Sequence, residues 1–346
     1  MPCVCRRPFK YFQIEADGDC FFCCSIFVNN EPIGNIFDNS FEDIWYGEKA
    51  EKFRRSVLDE TYKYCRRDLC SDFVLEDIDY DFKPELPEEV HLSYVRACNL
   101  RCITCRDNFI IESKENTEYF NSYIDKILPF CKTAKTIYLN GAGELFVSHH
   151  LCEICKRIIE VNPEVKFFIH TNGLFFNKQM CEKFGFLDNI YNVGVSIHAA
   201  TEKTYNKIVR GGNWKILQRN LSYISKLKKA GKIERFEMFF VVSSLNYKEM
   251  PKFVKMAKKY GAVALFWRFR NWGTTEMCKE YDKYTCWEKD HKDYKKFIKV
   301  LYKLKCKYRS ENEFSAKFCW ISDPLFKKLQ AEAKGSFFER LKNKIF

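Results

Sequence analysis

From residue 88 to about 272 the chain alternates short apolar runs with helix-period segments, and no other feature constrains its fold as tightly. Six runs read as strands: Val90–Val95, Lys135–Asn140, Val165–His170, Asn192–Ile197, Phe236–Val242 and Val263–Phe269. Between them, Asn121–Cys131, Leu151–Val161, Trp214–Lys229 and Tyr247–Tyr260 carry apolar residues at helical spacing. Strand–helix repetition of this kind makes a parallel sheet with right-handed crossovers. Six units are too few for a closed eight-stranded barrel, so the expected α/β fold is a partial (β/α)6 TIM-like barrel. Its site belongs in the loops that follow the strands.

The flanks differ from this core. Residues 1–83 form a small cysteine-rich region: Phe9–Glu15 alternates like a strand, residues 16–19 turn, and Cys20–Val28 reads as a second strand. Asn39 is placed to cap a helix starting at Ser40, with Asp43 in its first turn. Two prolines in the acidic stretch after Lys83 mark a linker, so the core is expected over 84–272. Residues 273–346 read as a helical C-terminal extension with Cys278, Cys286, Cys306 and Cys319 dispersed through it. The final amphipathic run, Phe337–Phe346, is expected to dock on its own domain.

No run of about 18 apolar residues is present, so no membrane span is expected. Arg6 and Arg7 lack the apolar run of a secretory signal, and the expected location is the cytoplasm. In that reducing compartment the 18 cysteines point to metal ligation or burial rather than to disulfides. The net charge of +12 is spread over helical runs such as those beginning at Lys226 and Lys252. These read as solvated faces, and nucleic acid is not an expected partner.

The strongest chemical signal is Cys98-Asn-Leu-Arg-Cys102-Ile-Thr-Cys105, directly after the first core strand. Three thiolates within eight residues can wrap one metal centre, and thiolates are the natural ligands of iron–sulfur clusters. Three ligands rather than four leave one iron of a cubane open to an exogenous ligand. A structural zinc site completed by His91 or a distant cysteine is the alternative.

With this spacing the chain resembles the radical S-adenosylmethionine (SAM) superfamily and its CxxxCxxC signature, across residues 88–272. Asn140-Gly-Ala-Gly-Glu144-Leu-Phe, after the second strand, looks like the family's GGEP loop, whose backbone holds the methionine amino group of SAM. Thr171-Asn-Gly173 follows the third strand; Val195-Ser196-Ile-His-Ala resembles the VSxDA pattern that contacts the SAM carboxylate, as does Arg210-Gly-Gly. The resemblance thus implies SAM contacts at Gly141, Gly143, Glu144, Thr171, Ser196 and Arg210, and a 4Fe–4S cluster on Cys98, Cys102 and Cys105. Thr104 stands where the family usually has an aromatic residue, Leu145 where it has proline, and His198 where aspartate is frequent, leaving His198 a supporting or proton-donating role.

The opening region resembles the SPASM and twitch domains that hold auxiliary iron–sulfur clusters, although in the family that domain generally follows the barrel. The match runs through Cys5, Gly18, Cys23, Phe41-Glu-Asp-Ile-Trp45, Cys65 and Cys70. It implies four thiolate ligands, Cys5, Cys23, Cys65 and Cys70, with Cys3 and Cys24 as substitutes and Cys20 in packing. A four-cysteine zinc knuckle is the alternative. Cys152 and Cys155 lie in a helical stretch and read as packing residues. The resemblance implies reductive cleavage of SAM to a 5′-deoxyadenosyl radical that takes a hydrogen atom from a peptide or protein side chain. A sugar or nucleotide-linked small molecule is the second substrate class, and a non-enzymatic metal-stabilised scaffold the rival reading. An electron donor such as flavodoxin or ferredoxin is the implied partner.

Overall fold

Along the parallel strands, fully buried residues alternate with half-buried ones, so one face packs against helices and the other carries polar groups. The computed structural model describes residues 3–29, 31–67, 70, 73–78, 84–139, 143–308 and 316–318. They form two compact units, the first drawn from Met1–Asn99, Ile110–Val193 and Gly231–Glu234, the second from Leu100–Phe109, Gly194–Ala230 and Arg235–Phe346.

The first unit contains β1 (Cys3–Cys5), β2 (Tyr11–Ile14), β3 (Asp19–Phe21), β4 (Gly34–Asn35), β5 (Leu75–Asp77), β6 (Glu89–Leu92), β7 (Thr136–Leu139) and β8 (Lys166–Thr171), and the start of β9 (Ile190–Ser196). Strands β8, β7, β6 and β2 lie side by side and parallel, and β3 and β4 continue the order antiparallel. The N-terminal region therefore shares a sheet with the first core strands. The reason is aromatic packing. Phe12, Val90, Ile137 and Phe167 are in register across β2, β6, β7 and β8 and have no exposed surface. Phe12 stacks on Phe130 of the helix Ile124–Cys131 at 3.7 Å, and Trp45 meets both rings edge-on. A short β1–β5 pair stands apart from this sheet.

Details at the N-terminus correct the sequence reading. Pro8 starts a helical turn at Arg7–Lys10, so β2 begins only at Tyr11. The second strand stops at Phe21, and Ser25–Phe27 is a 3-10 turn. Gly18, at φ +87°, makes the hairpin between them. The helix Phe41–Trp45 is capped by Ser40, not Asn39: Ser40 Oγ accepts from Asp43 N, and Asp43 accepts from Ser40 N. The Asn39 side chain instead accepts from Asn35 N at 2.8 Å.

The second unit holds the end of β9, then β10 (Arg235–Val242), β11 (Val263–Arg268) and β12 (Ala316–Phe318), the last three parallel. Phe240 packs on Phe253 and Phe266 with centroids 4.8 and 5.5 Å away, joining both strands to the helix Met250–Tyr260. The helix Trp214–Lys229 has the predicted bounds, with Leu217, Leu221 and Ile224 turned inward. After residue 272 the helix Tyr294–Tyr308 forms, but β12 makes the extension more than helical. Cys319 and residues 337–346 lie outside the described residues. No described helix is long and apolar enough to cross a membrane.

Candidate functional site

In the first unit, loops after three neighbouring parallel strands are tied together at one buried carboxylate. Glu144 follows β7 and is 1% exposed. Its backbone N–H donates to Ala97 O at 2.7 Å, fastening it to the segment after β6. Its side chain accepts from Thr171 Oγ1 and from Asn172 N, both at 2.6 Å, in the loop after β8. Burial pushes this carboxyl up to about 7, against the pull of those donors and of Phe146 N. Asn172 in turn donates to Asn99 Oδ1 at 2.8 Å, one residue beyond Cys98. Gly143 is needed because any Cβ there would stand 2.5 Å from Val95 O and 2.7 Å from Ala97 O. Gly141 lies outside the described residues. Leu145, where proline was the norm, is 2% exposed and starts a 3-10 turn, so it fills core. Cys98 is half-buried and pairs through its backbone with Ile110, with N···O distances of 2.8 and 3.4 Å.

The same unit carries the N-terminal cysteines. Cys5 and Cys23 are buried, Cys65 and Cys70 half-buried. Cys65 bridges antiparallel to Val28, and Cys70 N bonds to Arg66 O at 3.0 Å. The Cys65 thiol is pushed up to about 12, by burial first and then by the neighbouring charges of Cys5 and Cys70. Cys5 and Cys70 are therefore each near enough to act on Cys65. Cys23 and Cys24 instead act on Tyr11, in β2. Cys20 is fully buried and donates to Gly18 O at 3.4 Å, a packing role. Cys152 and Cys155 are buried on the helix His149–Val161. In the same region a buried Arg54 donates to Pro8 O and Trp45 O and stacks over Phe22 and Trp45.

The second unit contains the rest of the cysteine loop. Cys102 O accepts from both Cys105 N and Arg106 N, a tight turn, and the Arg106 guanidinium lies 3.5 Å from Cys105 Sγ. Arg101 N donates to Arg210 O at 3.1 Å and Ile103 N to Ile208 O at 3.0 Å, so the loop is strapped along residues 208–210. Thr274 Oγ1 donates to Cys105 O at 2.7 Å, and Ile103 packs on the small core of Phe269, Met277 and Cys278. Ser196 ends β9, half-buried, and Arg210 is exposed. His198 has φ +61°, a conformation few non-glycine residues adopt. It is held there by its N–H to Phe239 O and by Asn246 Nδ2 to its carbonyl. Its Nδ1 accepts from Val241 N at 3.0 Å, so the ring is the neutral tautomer with its proton on Nε2. Glu249, which nothing in the sequence pattern marked, accepts from Ala200 N, Thr201 Oγ1 and Thr204 Oγ1, all at 2.6 Å.

Among the described residues no three His, Cys, Asp or Glu side chains are gathered into a metal-holding group. The cysteine-rich residues 3–71 match the model of SPASM, an iron–sulfur cluster-binding domain. The chain is also similar to the AdoMet-dependent heme synthase of Methanosarcina barkeri, 25% identical over 51% of this chain and 49% of that protein. It is similar to the FeMo cofactor biosynthesis protein NifB of Methanocaldococcus jannaschii, 27% identical over 39% of this chain and 46% of the relative. The likeness is to iron–sulfur and AdoMet-dependent proteins. The chain spans about half the length of these curated relatives. In structure it is similar to native anSMEcpe with bound AdoMet, with a TM-score of 0.45 and 18% identity over 67% of this chain and 64% of that one.

These matches support SAM, a 4Fe–4S cluster and an auxiliary iron–sulfur cluster as cofactors. Their donor chemistry fits: the cysteines concerned are thiols, the soft ligands such clusters require.

Proposed function

We propose that this chain is a radical SAM enzyme that cleaves SAM reductively and uses the product to take a hydrogen atom from an organic substrate. The observation that carries this is the CxxxCxxC segment, beginning six residues past a parallel strand, with the buried Glu144 fastening the adjacent loops. Cys98, Cys102 and Cys105 would hold the SAM-binding cluster; Cys5, Cys23, Cys65 and Cys70 would hold the auxiliary one. When bound, the first cluster supplies the electron that breaks a carbon–sulfur bond of SAM.

The chain's own residues do the positioning. Gly143 and Glu144 fix the backbone that would receive the SAM amino group, and Thr171 and Asn172 hold Glu144 from the next loop. Ser196 and Arg210 would take the SAM carboxylate, Arg210 through its fork of donors. His198 keeps its proton on Nε2 and leaves Nδ1 to the backbone, so it orients the loop after β9. The partial (β/α)6 barrel is the architecture in which these loops would serve one site, with the SPASM region, the core and the C-terminal extension as its three parts.

A peptide or protein side chain is the first substrate reading, from the SPASM region. The relatives' named activities, heme synthesis and FeMo cofactor biosynthesis, favour a small molecule as the second. Anaerobically reconstituted protein, given dithionite and SAM, is expected to release 5′-deoxyadenosine, and Cys102→Ala to release none. No deoxyadenosine from iron-replete protein would defeat the proposal. Deuterium transfer into deoxyadenosine from labelled candidates then separates the two substrate classes.

A further inference from the structure

Tyr205 poses a problem that the protein part of the second unit does not solve. Its side chain has no exposed surface, and its hydroxyl has no hydrogen-bond partner among the described residues. A phenylalanine would fill the same space without the cost of a desolvated, unpaired hydroxyl. Buried unsatisfied polar atoms are rare enough in native folds that each one needs a reason.

The surroundings supply one. Tyr205 lies on the helix Glu202–Ile208, whose end straps the cysteine loop through Ile103 N to Ile208 O and Arg101 N to Arg210 O. Those two bonds flank Cys102 in sequence. The ring is backed by Trp214, with centroids 5.2 Å apart. Gly212 closes the other side, where even a methyl group would come within 2.7 Å of the hydroxyl oxygen. The ionisable side chain whose charge reaches the hydroxyl is that of Cys102. Burial also keeps the phenol protonated, so it is available only as a neutral donor or acceptor.

We propose that the Tyr205 hydroxyl is a positioning and tuning donor for the Cys102 sulfur, pairing with it when that sulfur is an iron-bound thiolate and raising the cluster's reduction potential. The inference rests on Cys102 being a cluster ligand, as proposed above. A thiol is a weak acceptor, whereas a metal-bound thiolate is a strong one, so the hydroxyl's partner arrives with the metal. Hydrogen bonds to cluster sulfurs favour the reduced, more negative state, and the potential rises. The strap at residues 208–210 would keep donor and sulfur in register.

The test compares the full chain with Tyr205→Phe after anaerobic loading with ferrous iron and sulfide. A triple variant, Cys98→Ala with Cys102→Ala and Cys105→Ala, identifies which electron paramagnetic resonance signal belongs to this cluster. Tyr205→Phe is expected to keep the iron content and the signal. Its reduced-to-oxidised ratio at a fixed potential should fall about tenfold, which is about 59 mV for one electron. In metal-free protein its urea midpoint should equal or exceed the parent's. An unchanged potential with full iron overturns the inference. So does a lowered metal-free midpoint, which would give the hydroxyl a purely structural partner. If the triple variant keeps the parent's full iron and every signal, the ligand assignment itself fails, and the inference falls with it.

Discussion

Replacing Glu144 by glutamine should remove a stretch of pH-dependent stability that the parent chain displays. The carboxyl is 1% exposed, and burial moves it from 4.5 to about 7 in the folded chain. Between those values the folded state binds more protons than the unfolded state, so stability falls as pH rises. The contribution is complete below pH 4.5 and lost above pH 7. At 1.36 kcal/mol per pH unit it amounts to about 3 kcal/mol. Glutamine can keep the geometry. Its oxygen can accept from Asn172 N while its amide donates to Thr171 Oγ1, a hydroxyl that rotates to suit. His150 and His170 act in the opposite sense over the same window, since burial lowers both from 6.5 to about 4 and their share is lost as pH falls. Only the difference between parent and variant isolates Glu144. The assay is urea unfolding of metal-free protein at half-unit steps from pH 4.5 to 8. The parent-minus-variant stability should decline by about 3 kcal/mol up to pH 7 and then stay flat. A difference curve that is flat throughout would refute the claim that burial governs this carboxyl.

Gly143→Ala forces a methyl against two backbone carbonyls, Val95 O and Ala97 O, which cannot rotate away. It should cost about 2 kcal/mol by chemical denaturation and, in loaded protein, weaken SAM binding in equilibrium dialysis. Arg54→Lys keeps the charge but loses the planar fork that donates to Pro8 O and Trp45 O and stacks on two aromatic rings. A loss of about 3 kcal/mol is expected, together with lower iron retention by the SPASM region; a loss under about 0.5 kcal/mol would count against this reading.

Much of the architecture is legible along the chain because periodicity is a local property. The six core strands form within two or three residues of the expected bounds, since each needs only alternating residues with helices to cover one face. Cys98, Cys102 and Cys105 stand out because their CxxxCxxC spacing is itself a sequence property. Ser40 and Asn39 were harder to separate. Both can cap a helix, and only the pull of Asn35 N on the Asn39 side chain decided between them.

What tertiary structure alone decided are the partnerships between distant residues. That β2 would join β6 followed from Phe12 finding Phe130, 118 residues away by number, with Trp45 beside both. Glu144 was recognisable as part of a loop motif, but its role as a shared acceptor for the next loop depends on desolvation, which has no signature in sequence. Glu249 and Tyr205 carry no local pattern at all. One is defined by three donors brought to it and the other by the absence of any partner among the described residues, and only the packed chain creates either condition.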